Sequence, residues 1–171
     1  FPRKSTAFDV LVLSQNYPES VCFSFRKSLP TKKCNLGINN AWGIHGLWPT
    51  ELGTVNPQFC DKTQPFNATA ISGLRDELLI KWLNVDGQKS EQKFWKHEWD
   101  KHGTCSTQLD ELNTQEKYFQ VTLDLTQQYS AAKILNQAKI YPGGEYSADD
   151  IYEKVSNLVG KKPVISCIKN K

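Results

Sequence analysis

All three histidines of the chain, His45, His97 and His102, fall in two short aromatic-rich segments. One is Trp42-Gly43-Ile44-His45-Gly46-Leu47-Trp48-Pro49. The other is Phe94-Trp95-Lys96-His97-Glu98-Trp99-Asp100-Lys101-His102-Gly103-Thr104-Cys105. Histidine is the side chain whose free pKa, about 6.5, lies nearest working pH. One protonated and one neutral imidazole make a general acid and a general base. A lone histidine is more often structural. Confinement of the whole supply to two segments favours a fold that brings distant stretches together around one reaction centre.

Helix geometry sharpens this expectation. Glu98 and His102 are four apart and share a helical face; Lys101 is three after Glu98, and His97 is four before Lys101. If the stretch is helical, a carboxylate, an ammonium and two imidazoles can converge on one pocket, which suits proton movement around an anionic centre. A charge run is usually a solvated helix face, but the interleaved Phe94, Trp95 and Trp99 argue against that here. His97-Glu98 begins like a zinc-protease His-Glu-x-x-His, yet the next histidine comes five residues on. That spacing puts the rings roughly 140° apart on a helix, so they do not chelate one ion from one face. No metal and no cofactor is expected.

At 171 residues the chain has the length of a single domain and can bury a core. Apolar residues at 39% and charged residues at 23% are an ordinary globular balance, which excludes disorder for the bulk of the chain. No apolar run approaches the ~18 residues of a membrane span. The apolar stretch from Phe8 to Leu13 is too short for a signal peptide, and methionine is absent, so a processed or excised chain is expected. A net charge of +3 permits a polyanionic ligand without demanding one. Few lysines or arginines cluster near the histidine segments in sequence, so only modest salt sensitivity is expected.

Cys22, Cys34, Cys60, Cys105 and Cys167 match no zinc module. Scattered cysteines fit disulfides and an oxidising compartment; buried free thiols are the alternative. Asn67-Ala68-Thr69 is the one Asn-x-Ser/Thr sequon, and with the cysteines it favours secretion and glycosylation of Asn67. The odd count leaves one sulfur free, paired to another chain, or missing its partner.

Periodicity predicts a strand at Phe8–Leu13, loop over 23–41, and a short strand at Trp42–Leu47 stopped by Pro49. The glycines of that second strand suit a close approach of a ligand to the backbone. Helices are predicted at about Ala68–Leu83, Ser90–His102, from a capping box at Asn113-x-x-Glu116 to about Tyr129, at Ala131–Ala138, and from Ser147 to a stop at Gly160. Pro163–Ile168 reads as a final strand. The sum is a single α+β domain, a mostly antiparallel sheet with several helices packed beside it.

The two histidine segments together closely resemble the active-site signatures of the T(2)-type ribonuclease family, in the same order. The likeness extends to Gln15-Asn16-Tyr17-Pro18-Glu19-Ser20-Val21-Cys22, where the family usually has Trp before the proline. It also covers Pro65-Phe66-Asn67 and Pro163-Val164-Ile165-Ser166-Cys167. The resemblance implies a secreted, or lysosomal and endomembrane-lumenal, endoribonuclease acting on single-stranded RNA without metal. The ribose 2′-hydroxyl would attack phosphorus and leave a 2′,3′-cyclic phosphate. By resemblance His102 is the base and His45 the acid, Glu98 and Lys101 surround the transition state, and His97 binds phosphate.

Trp48 reads either as a wall beside the substrate or as core; Trp42 and Trp95 read as core, and Trp99 stays open. Thr50 stands where the family often has Asp, which leaves base preference open. The resemblance also implies disulfides Cys22–Cys34 and Cys60–Cys105. It pairs Cys167 with a cysteine in a last strand that this sequence lacks, so residues 1–171 are expected to form one ribonuclease domain without that strand. A monomer is expected. Two competing classes are a secreted signalling or immunomodulatory glycoprotein read by a glycan-reading receptor, and a phosphodiesterase for small cyclic nucleotides.

Overall fold

The computed structural model describes residues 7–37 and 41–167. Strand β1, Val10–Asn16, pairs antiparallel with β2, Gly43–Thr50. The ladder runs from Val10 opposite Thr50 to Asn16 opposite Gly43. Ser14 faces Gly46 but Gln15 faces Ile44, so His45 is the extra residue of a β-bulge. The bulge changes the parity of β2. Ile44 and Leu47 are both buried in the core, whereas His45 and Trp48 both stay half-buried on the other side. An unbroken strand would send residues three apart to opposite faces. β2 also runs through Pro49 instead of stopping there as expected; in a two-stranded sheet each strand keeps an open edge where proline is tolerated.

Helix α1, Pro18–Ser28, occupies part of the stretch expected to be loop. Pro18 at the first turn, with its fixed φ, starts it, and Glu19 and Arg26/Lys27 suit its two ends. The expected helix 68–83 is two pieces: a 3₁₀ segment Ala68–Leu74, capped by the Asn67 side chain, and α2, Arg75–Lys81. Ile71 at φ −117° interrupts the helical path there. Helix α3, Glu91–Lys101, is followed by a 3₁₀ turn Gly103–Cys105.

Helix α4, Gln115–Gln128, is capped by Thr114 and not by the expected Asn113. The Asn113 side chain instead accepts a bond from Lys117 Nζ at 2.9 Å. Helices α5, Ala131–Gln137, and α6, Ala148–Val159, follow. Ser147 caps α6 through the Asp150 N–H, and Gly160 ends it at φ 67°, in the left-handed region that favours glycine. Residues 163–167 are not in a strand, and Ile168 lies outside the described residues; Val164 is 93% exposed, with no neighbouring strand to pair among the described residues.

The result is α+β, with a small antiparallel sheet and helices around an aromatic core. Ile44 and Leu47 of β2 pack with Trp82, Trp95, Trp99, Tyr118 and Phe119. Trp42 is not in this core; it is half-buried against the Tyr17 ring at 5.7 Å. Core aromatics also hold the bulged strand. The Trp82 indole N–H donates to the His45 carbonyl and the Tyr118 hydroxyl to the Leu47 carbonyl, each at 2.9 Å. These bonds satisfy backbone oxygens that would otherwise be buried alone. Disulfides join Cys22 to Cys34 and Cys60 to Cys105, and Cys167 is a free, exposed thiol.

Candidate active site

An open cleft of about 350 Å³ lies between the bulged end of β2 and the C-terminal end of α3. His45, Trp48, His97, Glu98, Lys101 and His102 all line it, so the structure places all six in one site. Val12, Pro49, Thr50, Thr54, Val55 and Gln58 complete the wall. The loop residues 54–58 were not singled out from sequence, because nothing in their types signals a site.

Trp48 organises the polar groups. Its ring stacks on the His102 imidazole at 5.2 Å and 25°, and meets the His45 imidazole edge-on at 5.0 Å. Its indole N–H donates to Glu98 Oε2 at 2.9 Å. Trp48 is therefore cleft wall and not core. Glu98 is 1% exposed, and its other oxygen, Oε1, lies 3.9 Å from His45 Nε2. Phe94, one turn earlier on α3, packs its ring 5.6 Å from the His45 ring.

Gly46 makes this arrangement sterically possible. A Cβ there would come within 2.1 Å of Glu98 Oε2 and 2.3 Å of Trp48 Nε1. The close approach anticipated at this glycine is made by the protein's own carboxyl and indole. Gly103 plays a like part at the end of α3, where a Cβ would meet the Trp99 ring at 2.3 Å.

His102 closes α3 as its C-cap, its N–H donating to the Glu98 carbonyl at 3.0 Å. It is 7% exposed, and among the described residues its Nδ1 has no hydrogen-bond partner. The Cys60–Cys105 disulfide and the bond from Phe59 N–H to the Lys101 carbonyl, at 2.9 Å, clamp the 59–60 segment to this end of the helix. The Phe59 ring lies 6.4 Å from that of His97, which is exposed at the rim.

Burial governs the electrostatics. It lowers His102 to about 3, helped by the positive charges of Lys101, His97 and His45, so this ring is neutral over most of the pH range. Burial lowers His45 too, as do His97 and Lys101. His97 is lowered by burial and then by Lys101, against Asp100. Burial raises Glu98 to about 7, although the Trp48 bond and Lys101 pull the other way. A carboxyl that keeps its proton can sit beside an anion without repelling it and can donate to it.

Outside the cleft, Asn67 is exposed. Its Oδ1 accepts from Thr69 N–H at 3.0 Å, so capping uses the oxygen and not the amide nitrogen to which a glycan is joined.

Comparison with known proteins places this geometry. The sequence model described as the Ribonuclease T2 family matches residues 8–171. Ribonuclease T2 of Sus scrofa is 34% identical over 161 residues, taking in 92% of this chain and 74% of that protein. Ribonuclease T2 of Homo sapiens is 32% identical over 168 residues, 97% of this chain and 61% of that one. Ribonuclease 1 of Arabidopsis thaliana is 35% identical over 169 residues, 95% of this chain and 70% of that one. The chain thus spans 61–74% of the length of these relatives.

Two solved structures resemble it over most of its length. RNase NT in complex with 5′-AMP gives a TM-score of 0.78 at 29% identity, covering 95% of this chain and 78% of that one. Human RNase T2 gives 0.72 at 30% identity, covering 88% and 72%. A family match across almost the whole sequence, agreeing with the fold, establishes that the chain belongs to the ribonuclease T2 family.

Proposed function

We propose that the chain is a metal-independent endoribonuclease that cleaves single-stranded RNA by transphosphorylation, acting in secretions or in a lysosomal or endomembrane lumen. One observation carries the reading: two imidazoles and a buried carboxyl meet on the Trp48 indole in a single cleft. Membership of the family supports the endoribonuclease class, and a relative is described with a bound nucleotide, 5′-AMP.

His102, neutral through burial, accepts the proton of the ribose 2′-hydroxyl. The 2′-oxygen forms its bond to phosphorus while the bond to the 5′-oxygen breaks, and His45 gives that oxygen a proton. The products are a 2′,3′-cyclic phosphate and a free 5′-hydroxyl. Solvent then returns a proton to His45 and takes one from His102. Glu98, still protonated, donates to a phosphoryl oxygen, and Lys101 offsets the charge that builds there. His97, at the rim, holds phosphate. Trp48 is the flat surface beside the substrate. The 2′-hydroxyl is the nucleophile, which explains RNA over DNA without any base contact.

The two disulfides and the exposed sequon support the oxidising compartment and a glycan on Asn67. A mass loss on enzymatic deglycosylation, absent in Asn67→Gln, checks the glycan. The reaction itself is tested by digesting RNA in the presence of chelator and analysing the new ends. A cyclic phosphate, with cleavage lost in His45→Ala and His102→Ala, is expected. Cleavage abolished by chelator alone, or unchanged in both variants, overturns the assignment.

A further inference from the structure

The fold assembles a set of cations that the sequence keeps apart. Cys34 and Asp86 form an isolated antiparallel bridge. Beside it Asn35 N–H donates to the Val85 carbonyl at 3.0 Å, and Gly87 N–H to the Lys33 carbonyl at 3.2 Å. The Cys22–Cys34 disulfide ties this ribbon to α1, over a small core of Cys22, Leu83 and Val85. Arg26 Nε donates to the Lys32 carbonyl at 3.3 Å. Lys32 and Lys89 both reach the Asp86 carboxylate, at 2.7 and 3.2 Å. Arg26 and Lys33 are exposed, and the Lys89 side chain is 63% exposed. Two acids offset this charge in part: Asp86 and Glu91, the latter accepting from the Asn35 amide at 3.3 Å. Four cations against two carboxylates leave the ribbon positive.

Helix α3 joins the ribbon to the cleft. The Asn84 amide donates to the Lys89 and Ser90 carbonyls, at 3.5 and 3.3 Å, just ahead of the helix. Phe94, four residues after Ser90 and so about 6 Å along the axis, packs on His45. In the proposed reaction His45 protonates the leaving 5′-oxygen. An RNA chain that continues 3′ of the cut past His45 and along α3 towards its first turn would meet Lys89 and Lys33.

We propose that Arg26, Lys33 and Lys89 form a cationic subsite for backbone phosphates of RNA on the 3′ side of the scissile bond, beyond the leaving nucleotide. The subsite rests on the endoribonuclease reading. Its place at the head of the catalytic helix favours the substrate's own backbone over an unrelated polyanion. It also departs from the modest salt sensitivity expected from sequence, because the disulfide and the bridge gather charges that are distant along the chain.

The test uses DNA oligonucleotides carrying one ribonucleotide, which can be cut only there. They are extended on the 3′ side, on the 5′ side, or on neither, and kcat/KM is measured at several salt concentrations. For the unaltered protein at low salt, 3′ extension is expected to raise kcat/KM about ten-fold. The triple variant Arg26→Ala/Lys33→Ala/Lys89→Ala loses that gain and cuts the unextended substrate within two-fold. Its log–log salt slope on the 3′-extended substrate is shallower by about 2, from roughly 0.7 per lost phosphate contact. Lys32 stays on Asp86 in that variant, and Arg26→Lys/Lys33→Arg/Lys89→Arg keeps the gain.

Four results overturn the subsite alone: a gain that survives the triple variant, a gain that comes from 5′ extension, an equal loss on the unextended substrate, and lost binding to heparin or anionic vesicles with unchanged RNA kinetics. An unaltered protein that cuts none of the substrates overturns the endoribonuclease reading and the subsite with it.

Discussion

His45 Nε2 lies 3.9 Å from Glu98 Oε1, yet burial disfavours the charged form of each, so the two are not a standing ion pair in the free protein. Burial raises Glu98 to about 7, so it is mostly protonated below that pH, while burial, His97 and Lys101 hold His45 below the usual imidazole value. As pH falls, Glu98 is neutralised before His45 becomes positive. When His45 takes up its proton, Glu98 is already mostly neutral, which leaves both groups available to a phosphate.

The pH dependence of kcat/KM follows, since that quantity reports the free enzyme. His45 must hold a proton to act as acid, so activity rises as pH falls through its lowered pKa, below about 6.5. His102 must be neutral to act as base, so activity is lost only as pH approaches about 3. A pH–rate profile is expected to peak on the acid side of neutrality; a maximum at or above pH 7 would sink this assignment of acid and base.

Glu98→Gln preserves a neutral side chain of the same size that still accepts from Trp48 and donates to phosphate. It is expected to keep kcat within about ten-fold, whereas Glu98→Ala loses about 100-fold, the scale of one transition-state donor. Stability separates the same pair. The native Glu98 binds its proton more tightly than the unfolded chain between pH 4.5 and about 7, so the stability that Glu98 contributes is lost as pH rises through that window. Above it the loss approaches about 3 kcal/mol. The lowered histidines gain stability over the same range in both proteins, so the difference is what counts: in denaturant unfolding, the stability of the unaltered protein relative to Glu98→Gln should fall by about 2 kcal/mol between pH 5 and pH 8.

Gly46→Ala should injure catalysis more than folding. The new methyl must displace the Glu98 carboxyl or the Trp48 indole, both within 2.3 Å of its ideal position. A fall in kcat of about 100-fold with less than ~2 kcal/mol of destabilisation is expected. Steady-state kinetics beside a melting curve would decide, and unchanged kcat would mean that the carboxyl does not need its present place.

Replacing Cys60 and Cys105 together by Ser opens a loop spanning a sequence separation of 45 residues. Chain entropy puts the cost at about 4 kcal/mol. The clamp at the end of α3 goes with it, so kcat should fall even where the variant remains folded. Full activity in folded variant, measured well below its melting temperature, would show that the bridge serves stability only.

The helix-borne half of the site was legible in sequence because one element sets it: the spacings among His97, Glu98, Lys101 and His102 act through a single rigid helix. The other half was legible through the clustering of the histidines and the family resemblance, not through local geometry. His45 and Trp48 reach the same cleft only because a bulge at His45 resets the alternation of β2, and no residue type announces that bulge. Helix α1 escaped notice because its polar, serine-rich sequence resembles loop, although Pro18 marked its start. The gathering of Lys33 with Lys89 depends on a bridge between residues far apart along the chain, which local patterns do not carry. Pro163–Ile168 has the composition of a strand, but a strand exists only where a neighbour supplies hydrogen bonds.

Trp48 also gives the protein a built-in optical reporter. Trp82, Trp95 and Trp99 donate to backbone carbonyls deep in the core, and Trp42 leans on Tyr17. Trp48 is the indole that touches His45, His102 and Glu98, the groups to which the proposed reaction assigns its proton transfers. Its emission is the natural channel for following nucleotide occupancy and imidazole protonation in solution, without any attached dye.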